Sequence, residues 1–232
     1  MKEKRRLSSS IELNEFGDKK RVLVTVPNTG NIHKLVAMAL LKLQCDIRYK
    51  LTIMLPTHNP YENNLHHIVL DFLKRGFDYW LSFDSDNPPI NNPLDLISLD
   101  KDIIGCPTPI WHFKGDKKGE RPIYWNGYDY VKEEDAYTEH DQKIGLQRVD
   151  AIGTGCFVIA RRVFLNKNMR NAPFERKLYT NGQVNKGNDL SFCERARDNN
   201  FEIWCHYDYP CNHFCNLELN EVVRAFKQLY EK

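Results

Sequence analysis

Tyr79-Trp80-Leu81-Ser82-Phe83-Asp84-Ser85-Asp86 is a short apolar run that stops abruptly at two carboxylates, and the proline-rich residues 87–93 follow it. An apolar run of this length bounded by turn formers reads as a buried strand. Two similar units precede it. Residues 21–26 are a compact β-branched segment followed by Pro27, Asn28, Thr29 and Gly30, after which Val36, Ala39, Leu40 and Leu43 recur at helical spacing. Residues 51–55 are a second apolar run, residues 56–64 read as a loop, and Leu65, Ile68, Val69, Phe72 and Leu73 form a helical stripe closed by Gly76. Successive βα units imply an α/β fold with a parallel sheet. Asp84, Ser85 and Asp86 then lie at the C-terminal end of a strand, the edge where open α/β sheets bind ligands.

Beyond this core, residues 102–106 read as another buried strand. Residues 107–147 are aromatic and charged without a steady period, which predicts a long excursion over one face. β character resumes over residues 149–160 around Gly153 and Gly155, and residues 161–165 continue as a short helix or turn. Residues 166–188 are polar and glycine-containing, the composition of a mobile segment. Asn188 and Asp189 offer an N-cap to a helix over 190–198, a strand follows at 201–205, and Leu219, Val222, Val223 and Phe226 share one stripe of a last helix. The organisation expected is a basic and polar tail at 1–20, a single domain at 21–216, and a C-terminal helix at 217–232 packed on it.

The chain has 232 residues, 41% of them hydrophobic, 28% charged and 12% aromatic, enough for one packed core and unlike a disordered chain, a collagen or a coiled coil. With 33 Lys+Arg against 31 Asp+Glu, the net charge of +2 does not by itself advertise a polyanion partner. No apolar stretch reaches the ~20 residues of a bilayer span, so no membrane insertion is expected, and no apolar segment follows the basic N-terminus as a signal peptide requires. Seven cysteines are an odd number in a chain of this size and suit a reducing, cytoplasmic setting.

The order of these features resembles the nucleotide-sugar-binding half of the GT-A glycosyltransferases, a Rossmann-like fold with a mostly parallel central sheet flanked by helices. The likeness is strongest to compact family-two-like enzymes, including small bacteriophage ones. It carries Asp84, Asp86 and His213 onto a site for Mn²⁺ or Mg²⁺, with Mn²⁺ favoured, Asp86 as the direct ligand and Asp84 nearer the ribose or a metal-bound water. Such an ion neutralises the charge developing on a departing nucleoside diphosphate. Pro27, Asn28, Thr29, Asn64 and Ser85, with Asp84, match donor-binding positions. Asn63 stands where relatives often carry an arginine. Residues 149–157, with Gly153, Thr154 and Gly155, resemble the strand beneath the donor sugar and acceptor, where a missing Cβ admits a ligand. Trp111, like His112, Trp125 and Tyr128, is of a type that stacks on sugar rings or bases. Residues 187–193 resemble the catalytic motif, with Asp189 as the general base of an inverting transfer and Asn188 where a second acid is common. The implied partners are a nucleotide-diphosphate sugar and a hydroxyl acceptor, either a glycan or a hydroxylated base in DNA. Residues 2–6 with Lys114, Lys117, Lys118 and Arg121 offer charge for phosphates.

Each of these residue patterns has a plainer use. Acidic pairs after strands also form turns, a helix N-cap accounts for Asp189, and a β-bulge accounts for the glycines. Cys205, His206, Cys211, His213 and Cys215 also crowd into eleven residues with the ligand types of structural Zn²⁺. A zinc-stabilised nucleic-acid-binding module without catalysis is therefore the alternative. A sugar nucleotidyltransferase ranks third, because the loop after the first strand lacks the glycine- and lysine-rich phosphate cradle.

Overall fold

The computed structural model describes residues 19–112, 122–141 and 143–230. In chain order the elements are β1 (Arg21–Thr25), α1 (Lys34–Gln44), β2 (Lys50–Met54), α2 (Tyr61–Arg75) and β3 (Tyr79–Phe83), then a 3₁₀ turn (Pro93–Leu99). There follow β4 (Ile103–Gly105), β5 (Pro109–Trp111), β6 (Ile123–Val131), β7 (Ala136–His140), β8 (Leu146–Val149), β9 (Ala151–Ile152), β10 (Cys156–Ala160) and α3 (Arg161–Leu165). The chain ends with β11 (Lys177–Leu178), β12 (Val184–Lys186), α4 (Asn188–Asp198), β13 (Ile203–His206) and α5 (Leu219–Tyr230).

The central sheet has seven strands in the order β2-β1-β3-β10-β4-β13-β8. β2, β1 and β3 run parallel, as do β4 and β13, while β10 and β8 run against them. The fold is thus α/β with a mostly parallel sheet flanked by helices. Its two faces follow from alternation along each strand. On one face Val22, Val24, Tyr79, Leu81 and Phe83 meet Val36, Leu40 and Leu43 of α1. On the other, Leu23 and Trp80 meet Leu65, Ile68, Val69 and Phe72 of α2, together with α3 and α4. Gly76 ends α2 with φ 72°, a left-handed turn that glycine takes without a Cβ clash.

Beneath α2, three buried polar side chains of the sheet satisfy one another. Trp80 Nε1 donates to Thr25 Oγ1 at 2.8 Å, and the Thr25 hydroxyl donates to Ser82 Oγ at 2.9 Å. The Trp80 ring meets Phe157 edge-on at 5.0 Å.

Several expectations are corrected. The excursion at 107–147 is not irregular: β5, β6 and β7, with β9 paired to β6, form a second antiparallel sheet. Its register shift between Trp125 and Tyr128 breaks the alternation that a sequence reading relies on. Residues 166–188 hold a 3₁₀ turn and the hairpin β11-β12. α2 starts at Tyr61, with Pro60 at its N-cap, which puts Asn63 and Asn64 on the helix instead of a loop. On α5, Ala225 is buried while Leu219, Val223 and Phe226 are exposed, so most of the apolar stripe faces away from the sheet. The tail at 1–18 and the basic residues Lys114, Lys117, Lys118 and Arg121 lie outside the described residues. No helix among the described residues is long and apolar enough to cross a membrane.

Thr25→Val keeps the volume but leaves the Trp80 N–H without its acceptor. Stability to urea should drop by about 1–3 kcal/mol with an unchanged m-value, the usual cost of an orphaned buried donor.

Candidate active site

The order β2-β1-β3 means that the chain leaves β1 toward one edge of the sheet and leaves β3 toward the other, and a crevice opens between the C-terminal ends of β1 and β3. The loop after β1 and the acidic triplet after β3 meet there. Pro27, Asn28, Thr29, Asn64, Asp84, Ser85 and Asp86 line one cleft of about 180 Å³. Asn28 is committed to shaping its own loop: its Nδ2 donates to Val26 O at 3.0 Å and its Oδ1 accepts from Gly30 N at 2.8 Å. Asn64 is 1% exposed and donates to Pro56 O at 3.0 Å, while its Oδ1 has no partner.

At the centre of the cleft is a residue the sequence analysis missed. Tyr61, in the first turn of α2, donates its hydroxyl to Asp84 Oδ1 at 2.8 Å. Burial, with the charges of nearby Asp84 and Asp189, pushes the phenol well above its usual range, with Thr154 acting in the opposite direction. The only sequence signal for Tyr61 was its i, i+3 relation to Asn64 on a helix whose start had been placed four residues too late.

Asp84 itself is pushed from 3.8 up to about 7, first by burial and then by the charges of Asp86 and Asp189, against the Tyr61 hydrogen bond. Asp189 comes from the first turn of α4, the helix that leads into β13. The N-cap position of α4 is Gly187, not Asn188 or Asp189 as expected, because the helix starts at Asn188. The Asp189 Oδ1 accepts from Leu190 N at 2.8 Å, and burial raises its pKa. A Cβ on Gly187 would come within 2.7 Å of that oxygen, so glycine there makes room for the carboxylate. Asn188 Nδ2 is buried without a partner.

His213 closes the site from the C-terminal segment. Its Nδ1 lies 2.7 Å from Pro109 O, and since a carbonyl only accepts, Nδ1 carries the proton. That leaves Nε2 facing Asp86 Oδ2 at 3.9 Å, the tautomer of an imidazole ready to bind a cation. The main chain fixes this approach through Phe214 N to Asp86 O at 3.0 Å. The clustered negative charge and the free imidazole nitrogen fit a hard divalent ion. Asp84, Asp86 and His213 are nonetheless not drawn into a tight trio: among the described residues, three metal-ligating side chains gather within 4.8 Å only at Cys106, Cys156 and Cys211.

The remaining expected residues have other contacts. At Gly153 a Cβ would meet Asn126 Nδ2 at 2.4 Å, and at Gly155 it would meet Thr108 Oγ1 at 2.8 Å. These glycines admit neighbouring side chains of the protein. Trp111 points its Nε1 at Glu221 of α5 (3.1 Å), and His112 Nε2 pairs with Glu139 Oε1 at 2.7 Å. Trp125 packs against the core. Tyr128, whose hydroxyl is affected by the Asp189 charge, lines a second cavity of about 540 Å³ that includes Leu190.

No protein-family profile matches the chain, and no curated protein does. Among solved structures it is similar to A197 from STIV, with a TM-score of 0.54 and 18% identity over 84% of this chain and 86% of that one. It is also similar to UDP-glucose pyrophosphorylase complexed with UDP-glucose (TM-score 0.45, 8% identity, 92% and 99% of the two chains). A putative nucleotide-diphospho-sugar transferase from Desulfovibrio desulfuricans G20 is similar at TM-score 0.41 and 10% identity, over 80% and 78%. The likeness to A197 is one of fold.

Because the Asp84 pKa is raised on folding, the native state holds more protons than the unfolded chain between about pH 4 and pH 7, and stability falls as pH rises through that window. Asp84→Asn, which still accepts from Tyr61, should stabilise the protein at pH 8 and not below pH 4. The gain is on the order of 2 kcal/mol, since each pKa unit is worth about 1.4 kcal/mol and partial exposure screens the effect. Mn²⁺ should raise the wild-type Tm more at pH 8 than at pH 5, and Asp86→Ala should abolish that rise.

Proposed function

We propose that this chain is a metal-dependent glycosyltransferase that moves a sugar from a nucleotide-diphosphate donor to a hydroxyl acceptor with inversion. The observation that carries this reading is the convergence of Asp84 and Asp86, from the end of β3, with Asp189, from the start of α4, around the buried Tyr61 hydroxyl. One carboxylate pair serves the diphosphate side and the third serves the acceptor. The crevice that the strand order opens beside β1 and β3 supports the same division.

In this reading the donor lies across the cleft between the β1 loop and Ser85, with the orphaned Asn64 oxygen available to a hydroxyl or amino group of the nucleotide. Asp86 and His213 hold a divalent ion, which when bound supplies charge neutralisation for the leaving diphosphate. Tyr61 fixes the Asp84 carboxylate by its hydrogen bond. Asp189 takes the acceptor proton, and burial, which raises its pKa, makes it a stronger base than an ordinary carboxylate. The acceptor approaches through the cavity at Tyr128 and Leu190.

The test is Mn²⁺-dependent nucleoside diphosphate release across a panel of nucleotide sugars, with and without hydroxyl acceptors. Asp189→Asn should lower kcat by about 10²–10⁴-fold, the usual worth of a general base, and leave donor Kd nearly unchanged. Asp86→Ala should lose Mn²⁺-dependent donor binding as well. Pyrophosphate formation from a nucleoside triphosphate and a sugar phosphate would replace this reading with nucleotidyl transfer. Full turnover in Asp189→Asn would remove that residue as the base.

A further inference from the structure

We propose that Cys106, Cys156 and Cys211 form a thiolate site for one zinc ion, with His206, which lies outside that tight trio, turning in to supply the fourth ligand. The three sulfur atoms lie within 4.8 Å of one another and the three residues are 2%, 0% and 2% exposed. A tetrahedral Zn–S bond of about 2.3 Å sets sulfur atoms about 3.8 Å apart, so the trio needs to close by no more than about 1 Å. Its members come from three separate segments. Cys106 follows β4 and Cys156 opens β10, and the register that pairs Phe157 with Gly105 sets these two cysteines opposite each other, with Cys106 N donating to Cys156 O at 2.9 Å. Cys211 is brought in by its own N–H to Pro107 O at 2.9 Å and by its bridge to Pro89.

A second observation points to a ligand. β13 pairs with β4 so that Cys205 is level with Gly105, and the next residue, His206, comes near enough to Cys106 to act on its thiol electrostatically. The His206 side chain is 15% exposed and its Nδ1 is buried without a hydrogen-bond partner, Asp208 Oδ2 being 4.0 Å away. Three thiols and an orphaned imidazole nitrogen are the donor set of structural zinc, and a buried polar atom without a partner is uncommon in a native core. Binding exchanges three S–H bonds for three Zn–S bonds and releases the protons to solvent, with no change of oxidation state.

This differs from the site expected from the local run of cysteines and histidines. Of that run, Cys205 packs in the opposite core with Tyr207, Cys215 is exposed, and His213 is turned to Pro109 and Asp86. Zinc here would pin the segment from Cys211 to Phe214, whose N–H groups meet Pro88 O and Asp86 O at 3.0 Å, and so hold His213 over the acidic loop.

The site can be read without any sugar-transfer assay, so it stands or falls separately from the proposed function. Full-length protein without an affinity tag should carry one zinc per chain by elemental analysis. Cobalt substitution should give thiolate-to-metal charge-transfer absorption with tetrahedral d–d bands, and a mercurial should release the ion as the thiols are consumed. Cys106→Ser and Cys211→Ser should lose the ion, His206→Ala should bind it more weakly with an altered cobalt spectrum, and Cys45→Ser and Cys215→Ser should keep it. Wild-type protein that is folded but metal-free after growth and reconstitution with zinc overturns the proposal. So does a mass two hydrogens light from a disulfide within the trio, or cobalt that binds without thiolate charge transfer, a result that needs no variant to fold.

Discussion

β3 sits between parallel β1 and antiparallel β10, hydrogen-bonded on both sides and buried at every residue from Tyr79 to Phe83. It cannot slide: a shift of one residue would exchange Trp80 for its neighbours between two differently shaped cores. That immobility passes into the loop beyond it, where Asp84 N donates to Gly155 O at 2.9 Å and Asn87 N to Asp84 O at 3.1 Å. The acidic triplet is therefore presented by a rigid edge, and Tyr61, Ser85 and the C-terminal segment are arranged around a fixed point.

Rigidity at that point opposes stability. Three carboxylates share one neighbourhood, and burial, with the charges of the other two, pushes the Asp84 carboxyl up to about 7. A protein selected only for stability would replace such a group, because an isolated buried charge is costly. The Tyr61 hydrogen bond lowers the cost without removing it, and a cation would remove most of it. Carboxyls with raised pKa values cluster at functional sites as a rule, and here they coincide with the crevice that the strand order creates.

The C-terminal segment contributes through backbone pairing more than through packing. Residues from Cys211 to Phe214 are tied to Pro107, Pro88 and Asp86 by main-chain hydrogen bonds, and Phe214 stacks on His33 at 3.8 Å. His33 also donates its own N–H to Ser85 O. The first βα loop, the acidic loop and the last loop thus converge through a few contacts, all far apart in sequence.

What was legible in the sequence was local. The periods of 2 and 3.6, the left-handed Gly76 and the abrupt change from Phe83 to Asp84 are short-range signals, and they sufficed for the βα units, the parallel sheet and the strand-end position of the acidic triplet. The second sheet stayed hidden because its register shift and mixed surface blur the alternation. Tyr61 stayed hidden because its role depends on a helix start and on Asp84, Thr154 and Asp189, none of which is its neighbour in the chain. The cysteines make the same point: nearness in sequence suggested residues 205–215 as the cluster, whereas strand register selected Cys106 and Cys156 to join Cys211. Residue type and spacing determine which chemistry a chain can offer, but only folding, by pairing strands and closing loops, decides which groups come within reach of one another.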